Sequence, residues 1–277
     1  MHKIAVLSDI HGNLTALEAV LADAKQEKAT DYWILGDLIM LGPGSSELLN
    51  QLRKLPNATF IKGNWDEVFL DIKTYDFSDP TNVYGARLAK YHYEQLSEEN
   101  LNFLKNLPEV VVKKVAGFKF LLCHHLPNKN YGGDLHPSAQ QENFDLLVAN
   151  HQVDAAIYGH MHRKLMRYSS NGQLIINPGS VYPPTLSDNE RGYLGLKPQY
   201  VLIEVDQSGI GNINFKQVEY DIEKEMTFAQ QKSLPYLDFY RAGLTQGRSF
   251  THNKEVLKKV NDAHDYQKEV EAYFTQD

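Results

Sequence analysis

Apolar positions along this chain fall into short unbroken runs, separated by stretches in which they recur at helical spacing. The first run, Ile4 to Leu7, contains no polar residue, the pattern of a strand buried on both faces. Directly after it, "NLTALEAVLADAKQEK" places Leu14, Leu17, Leu21 and Ala24 on one helical face, with Asn13 as the capping residue. The alternation then repeats. "DYWILGD" predicts a second strand, "SSELLNQLRKL" a second helix and "ATFIKGNWD" a third strand, so the first part of the chain reads as an α/β layered core.

From Leu70 to about Pro108 the pattern becomes a loop and then two helical stretches within "NVYGARLAKYHYEQLSEENLNFLKNL", the second capped by Ser97; this predicts an insertion packed beside the core. Strands return at "FKFLLCHH" and "DAAIYGHMH", with "SAQQENFDLLVANH" helical between them. Antiparallel pairs follow in "LMRYSSNGQLIINPGS" and "QYVLIEVDQSGIGNINFKQVEYD", where Asn171-Gly172 and Ser208-Gly209 are the expected turns. Beyond Asp221 the chain reads as helical to its end, and "KEVLKKVNDAHDYQKEVEAY" reads as one charged amphipathic helix lying across the core. No linker separates two units, so one domain is expected over residues 1–277, with its core in about 1–220 and a helical extension in about 221–277.

Composition narrows the class. With 277 residues and 42% hydrophobic content the chain can bury a large core. No apolar run reaches the roughly 20 residues of a membrane span, and the opening "MHKIAVLSD" is a strand followed by an acid, not a leader, so a cytoplasmic location is expected. The one cysteine, Cys123, excludes an internal disulfide. A formal net charge of -7 disfavours nucleic acid as a partner, and no membrane partner is expected; the oligomeric state stays open.

The candidate chemistry lies at the strand ends. Five apolar runs stop at polar residues of one kind: Asp9 and His11, Gly36-Asp37, Gly63-Asn64-Trp65-Asp66, His124-His125, and His160-Met161-His162. A single Asp after a strand is ordinarily a turn or cap residue. Five such ends are a different matter, because the carboxyl ends of strands in an α/β sheet face a shared crevice. Carboxylate, amide and imidazole donors with no thiolate suit manganese, iron or zinc. Their number exceeds the needs of one ion and suits two, roughly 3.5–4 Å apart, a device for in-line displacement at phosphorus.

The ordered set "DIH", "GD", "GNWD", "H" and "GHMH", closing with "NPGS", resembles the calcineurin-like metallophosphoesterase superfamily. The resemblance covers Ile4 to about Tyr182 and the strands after it. It implies an α/β fold, a four-layer α/β/β/α sandwich of two mixed sheets, here with a helical insertion and a helical C-terminal extension. It further implies two divalent or trivalent transition-metal ions, manganese or iron, with zinc as a further option. Asp9, His11 and His162 would hold one ion, Asn64, His124 and His160 the other, and Asp37 would bridge them. Asn177 and Ser180 of "NPGS" shape the site or serve the fold. A hydroxide shared by the ions would attack in line.

Many relatives carry histidine where this chain has Trp65, which cannot donate a proton to a leaving alkoxide. His125 is then the candidate acid, or the leaving group needs none because it is a weakly basic nucleotide anion. Asp66 is a candidate for orienting the histidines. The tracts "HHLPNKNYGG", "GNWD" and "SLPYLDFY" are similar to bacterial asymmetrical diadenosine tetraphosphate hydrolases, which release ATP and AMP, and this implies a small nucleotide substrate. Trp65, Tyr131 and Tyr182 are available to stack an adenine or simply to pack; Lys62, Arg163 and Lys164 are available to phosphate or to solvent. The rival readings are a general phosphodiesterase, phosphatase or nuclease of the same superfamily, and a catalytically silent scaffold, which ought to lack the ligands.

Overall fold

A computed structural model describes residues 1–184 and 196–275. Its strands are β1 (His2–Leu7), β2 (Asp31–Ile34), β3 (Ala58–Phe60), β4 (Val110–Val115), β5 (Phe118–Cys123), β6 (Ala155–Tyr158), β7 (Leu165–Tyr168), β8 (Leu174–Asn177), β9 (Gln199–Asp206) and β10 (Gly209–Gln217). The helices are α1 (Leu14–Gln26), α2 (Ser46–Leu52), α3 (Asn64–Asp71), α4 (Pro80–Tyr93), α5 (Glu98–Lys105), α6 (Gln141–Asp145), α7 (Ile222–Gln231), α8 (Leu237–Gln246), α9 (Lys254–Ala263) and α10 (Tyr266–Phe274).

The strands form two five-stranded mixed sheets, ordered β10-β9-β1-β2-β3 and β4-β5-β6-β8-β7. In the first sheet β1, β2 and β3 are parallel; in the second β5, β6 and β8 are parallel. Side-chain alternation divides each strand between two cores. Ile4, Val6, Trp33 and Leu35 meet Phe120, Leu122, Ile157 and Ile176 between the sheets, and the Trp33 and Phe120 rings lie 5.1 Å apart. Ala5, Leu7, Tyr32 and Ile34 face a helical layer, and Leu121, Cys123, Ala156 and Tyr158 face Phe144 of α6. The expected four layers are therefore present. Truncating Phe120 to Ala in such a dry interior costs about 3–5 kcal/mol.

Several elements differ from their sequence patterns. The buried face of α1 carries Ala16, Leu17, Val20 and Ala24, while Leu14 and Leu21 flank it half-buried; Asn13 does cap the helix, accepting from the Ala16 N–H. "VVVKKV" forms β4, paired with β5 through a two-residue turn at Ala116 and Gly117, both with positive φ, which matches strand twist. The hairpin after β9 turns at Gln207 and Ser208, because Gly209 already pairs with Asp206. The helical signal after Ser138 yields only the short α6. The long C-terminal amphipathic stretch is two helices, α9 and α10, broken where Asp265 turns left-handed at φ 52°. Both pack on α4, and Arg87 and Lys90 of α4 pair with Glu269 of α10 at 3.1 and 3.0 Å. Residues 276 and 277 of the expected extension lie outside the described residues. Among the described residues no helix is long and apolar enough to cross a membrane.

Candidate metal centre and its cleft

The loops after β1 and β2 are zipped together beyond the ends of the strands. Asp9 N–H donates to Gly36 O at 3.1 Å, Ile10 and His11 N–H both donate to Asp37 O at 2.9 and 2.8 Å, and Gly12 N–H donates to Leu38 O at 3.1 Å. Asp9, His11, Asp37, His160 and His162 all hold left-handed φ, between 50° and 63°. Non-glycine residues there cost about 1–3 kcal/mol each, a strain that persists where the surroundings over-determine it and that clusters at functional sites. Here it turns five candidate side chains toward one point.

The second wall is the N-terminus of α3. "GNWD" therefore opens a helix: Asn64 sits in its first turn, not at a strand end. Trp65 N–H donates to Asp37 Oδ1 at 2.8 Å. Asp66, fully buried, accepts from Asp37 and Gly63 N–H through Oδ2, both at 2.9 Å, and from Leu38 N–H through Oδ1 at 3.0 Å. Only glycine fits at 63, since a Cβ would lie 2.1 Å from Asp37 Oδ1. Asp66 thus corrects the expectation that it orients a histidine: its bonds hold the Asp37 backbone.

The second sheet delivers the remaining donors. His124 Nδ1 donates to Leu35 O at 2.6 Å, which aims Nε2 inward, 3.0 Å from Asn64 Oδ1 and 3.5 Å from Asp37 Oδ2. His160 N–H donates to Asp9 Oδ2 at 2.9 Å, and its ring Nε2 lies against Gly132, 3.2 Å from its N and 3.1 Å from its O. His162 Nε2 lies 3.1 Å from Asp9 Oδ1 and 3.2 Å from His11 Nε2. Two groups with metal-holding geometry result, Asp9 with His11 and His162, and Asp37 with His124 and His160. Asp37 Oδ2 stands 3.5 Å from both His11 Nε2 and His124 Nε2, between the groups.

The electrostatics call for cations. Burial alone would raise Asp9, yet the imidazoles of His162, His124 and His11 outweigh it and hold the carboxyl well below its ordinary range. Asp37 behaves likewise against His124 and His11. Burial would lower His124, but the Asp37 and Asp9 carboxylates push it up to about 10. Burial leaves His11 at about 4 and His160 at about 3. Asp9 Oδ1 is buried and receives no backbone amide, with the His162 imidazole beside it at 3.1 Å. Two ionised carboxylates out of water, each with one oxygen facing imidazole, fit a site built for positive ions.

His11, Asp37, Asn64, His160 and His162 form the floor of a cleft of about 610 Å³, with Asp9 and His124 buried beneath it. Trp65, Arg163 and Tyr182 line it. The Tyr182 ring stands edge-on to His11, 5.5 Å between centroids. Lys62, Lys164 and Tyr131 do not line it; the last two are exposed elsewhere. His125 is also displaced. It is fully buried, its Nε2 donates to Gly132 O at 3.0 Å, and burial lowers it to about 4, so it is sealed from the cleft and neutral at pH 7. Asn177 Nδ2 donates to Gly159 O at 2.6 Å just before His160, and Ser180 donates to Tyr182 O at 2.5 Å, so "NPGS" shapes the loops. The opposite wall lies beyond the candidate site residues: Tyr84, Phe239, Arg248, Phe250 and His252 line the cleft from α4, α8 and the loop after α8, and Phe239 belongs to the tract "SLPYLDFY".

The profile of the calcineurin-like phosphoesterase superfamily domain matches residues 2–207. An uncharacterized protein of Methanocaldococcus jannaschii is 29% identical over 246 residues, spanning 84% of this chain and 93% of that protein. The symmetrical bis(5'-nucleosyl)-tetraphosphatase of Klebsiella pneumoniae is 36% identical over 121 residues, 43% of this chain and 41% of that enzyme. A hypothetical protein of Pyrococcus horikoshii has a similar fold, with TM-score 0.72 at 23% identity, over 90% of this chain and 100% of that one.

Proposed function

Because the chain belongs to the calcineurin-like phosphoesterase superfamily and is a phosphoester hydrolase, we propose that its substrate is a dinucleoside polyphosphate, foremost diadenosine tetraphosphate, cleaved to ATP and AMP in the cytoplasm. In this reading Asp9, His11 and His162 would hold one ion of manganese or iron, Asn64, His124 and His160 would hold a second, and Asp37 would serve both. Such ions, when bound, supply charge for the phosphoryl oxygens and lower the pKa of the attacking water. The protein's own part is placement. Trp65 N–H and the three amides on Asp66 fix Asp37, and the left-handed loops fix Asp9 and the histidines. Arg163, on the cleft wall beside His162, faces the phosphate chain.

The observation that carries the substrate reading is the cleft: a phosphoester centre opens into a space lined by Trp65, Tyr84, Tyr182 and Phe239, with no histidine at position 65 and His125 sealed away. A leaving nucleotide departs as a stabilised phosphate anion as water's oxygen bonds to phosphorus and the anhydride P–O bond breaks, so no acid need stand at position 65. The partial likeness to a tetraphosphatase supports the same substrate class, although that enzyme's name specifies symmetrical cleavage. Diadenosine tetraphosphate incubated with the Mn²⁺-loaded protein should yield ATP and AMP in equal amounts. Two ADP would reverse the regiochemistry, and turnover of simple diesters without turnover of the tetraphosphate would refute the reading.

A further inference from the structure

The superfamily match ends at residue 207, yet the cleft does not. Its far wall comes from the C-terminal helices. Gly247 closes α8 in a left-handed turn at φ 62°, and the five residues that follow, Arg248 to His252, all line the cleft. An aromatic row leads to them from the metal centre. His11 and Trp65 are 6.3 Å apart, Trp65 and Tyr84 6.5 Å, Tyr84 and Phe239 6.4 Å, and Phe239 stacks on Phe250 at 4.4 Å. Phe239 and Phe250 are only half-buried, so part of their surface stays open to the cleft. Arg248 is exposed on the rim beside them and forms no carboxylate pair among the described residues.

We propose that Phe239, Phe250 and Arg248 form a nucleotide subsite, built by the segment outside the superfamily domain, that takes the nucleoside and adjoining phosphate remote from the metal centre. This rests on the dinucleotide reading above and adds to it the residues that select an aromatic base joined to an anionic chain. The two parts are chemically distinct. A flat base gains from the open aromatic surface whatever its sequence of edge groups, and the guanidinium takes the phosphate beside it. A substrate lacking the base would forgo the first interaction and keep the second.

Equilibrium titration of the Mn²⁺-loaded protein with ADP and with pyrophosphate separates these parts without relying on turnover. Phe250→Ala should weaken ADP about tenfold and leave pyrophosphate binding as in wild type, the size expected from losing one stacked base. Phe250→Trp should restore ADP binding. Arg248→Gln should weaken both ligands. Wild-type ADP affinity in Phe250→Ala and Arg248→Gln, with both variants melting as wild type does, would overturn the proposal. Failure of the wild-type protein to cleave diadenosine tetraphosphate would instead strike the substrate reading, and the ADP titration would still decide the subsite independently.

Discussion

The floor and the far wall of the cleft are made in opposite ways. The floor is backbone work: amides of Asp9, Ile10, His11 and Gly12 bind the β2 loop, and Asp66 binds three more amides. Five of its candidate side chains stand on left-handed residues, and three of these, Asp9, His11 and Asp37, are members of that lattice. The wall is side-chain work. Tyr84 of α4 meets Tyr236 and Phe239 at α8, and Phe239 stacks on Tyr236 and on Phe250 of the loop that follows. One buried carboxylate joins the two regions: Glu225 of α7 accepts from Thr15 N–H at the start of α1 and from Tyr240 OH in α8. A rigid floor suits chemistry common to a superfamily, and an aromatic wall on separate helices can be changed without disturbing it.

The sharpest way to break the floor alone is Asp37→Asn. One carboxylate lies between both donor groups, so its loss should lower kcat more than about 100-fold, with loss of at least one bound ion and a preserved circular dichroism spectrum. Unchanged turnover at unchanged metal content would remove Asp37 from the centre.

Asp66→Ala should show that the floor is held from behind. Three buried N–H groups lose their acceptor at about 1–3 kcal/mol each, so the melting temperature falls and metal affinity drops about 10–100-fold although Asp66 touches no ion. Burial and the Asp37 charge push Asp66 up to about 7, which marks how dry its place is. A variant as stable as wild type would show that these bonds contribute nothing.

The helical layer behind the wall has its own acid sensitivity. His92 of α4 is fully buried, accepts from Met40 N–H at 3.2 Å through Nε2, and meets Ser45 through Nδ1. Burial lowers it from 6.5 to about 3. The folded state therefore binds fewer protons than the unfolded chain across that window, so the stability present above pH 6.5 declines as pH falls toward 3. The slope reaches about 1.4 kcal/mol per pH unit. Urea midpoints measured from about pH 7.5 down to about 5 should fall accordingly, and His92→Gln should flatten the trend; an equal decline in the variant would assign it to other groups.

The same contrast explains what could be read without coordinates. Asp9, His11, Asp37, His124, His160 and His162 were legible because each follows an apolar run, and strand ends in a layered α/β fold must converge. Asn64 and Asp66 were legible as chemistry but not as structure: the run before them is short, and only packing against Asp37 reveals that "GNWD" opens α3. β4 hid because Lys113 and Lys114 interrupt its apolar pattern, although Ala116-Gly117 marks its turn. Arg248 and Phe250 had no local signature at all, and Phe239 was marked only as part of the tract "SLPYLDFY". Their meaning arises when α8 folds back over α4, bringing Phe239 against Tyr84 from a distant part of the chain.

Metal stoichiometry tests the central claim most directly. Purified protein loaded with Mn²⁺ and freed of excess should contain two ions per chain by elemental analysis, with an exchange-coupled pair in its electron paramagnetic resonance spectrum. Binding of no more than one ion, or of two magnetically isolated ions, would contradict a paired centre across Asp37.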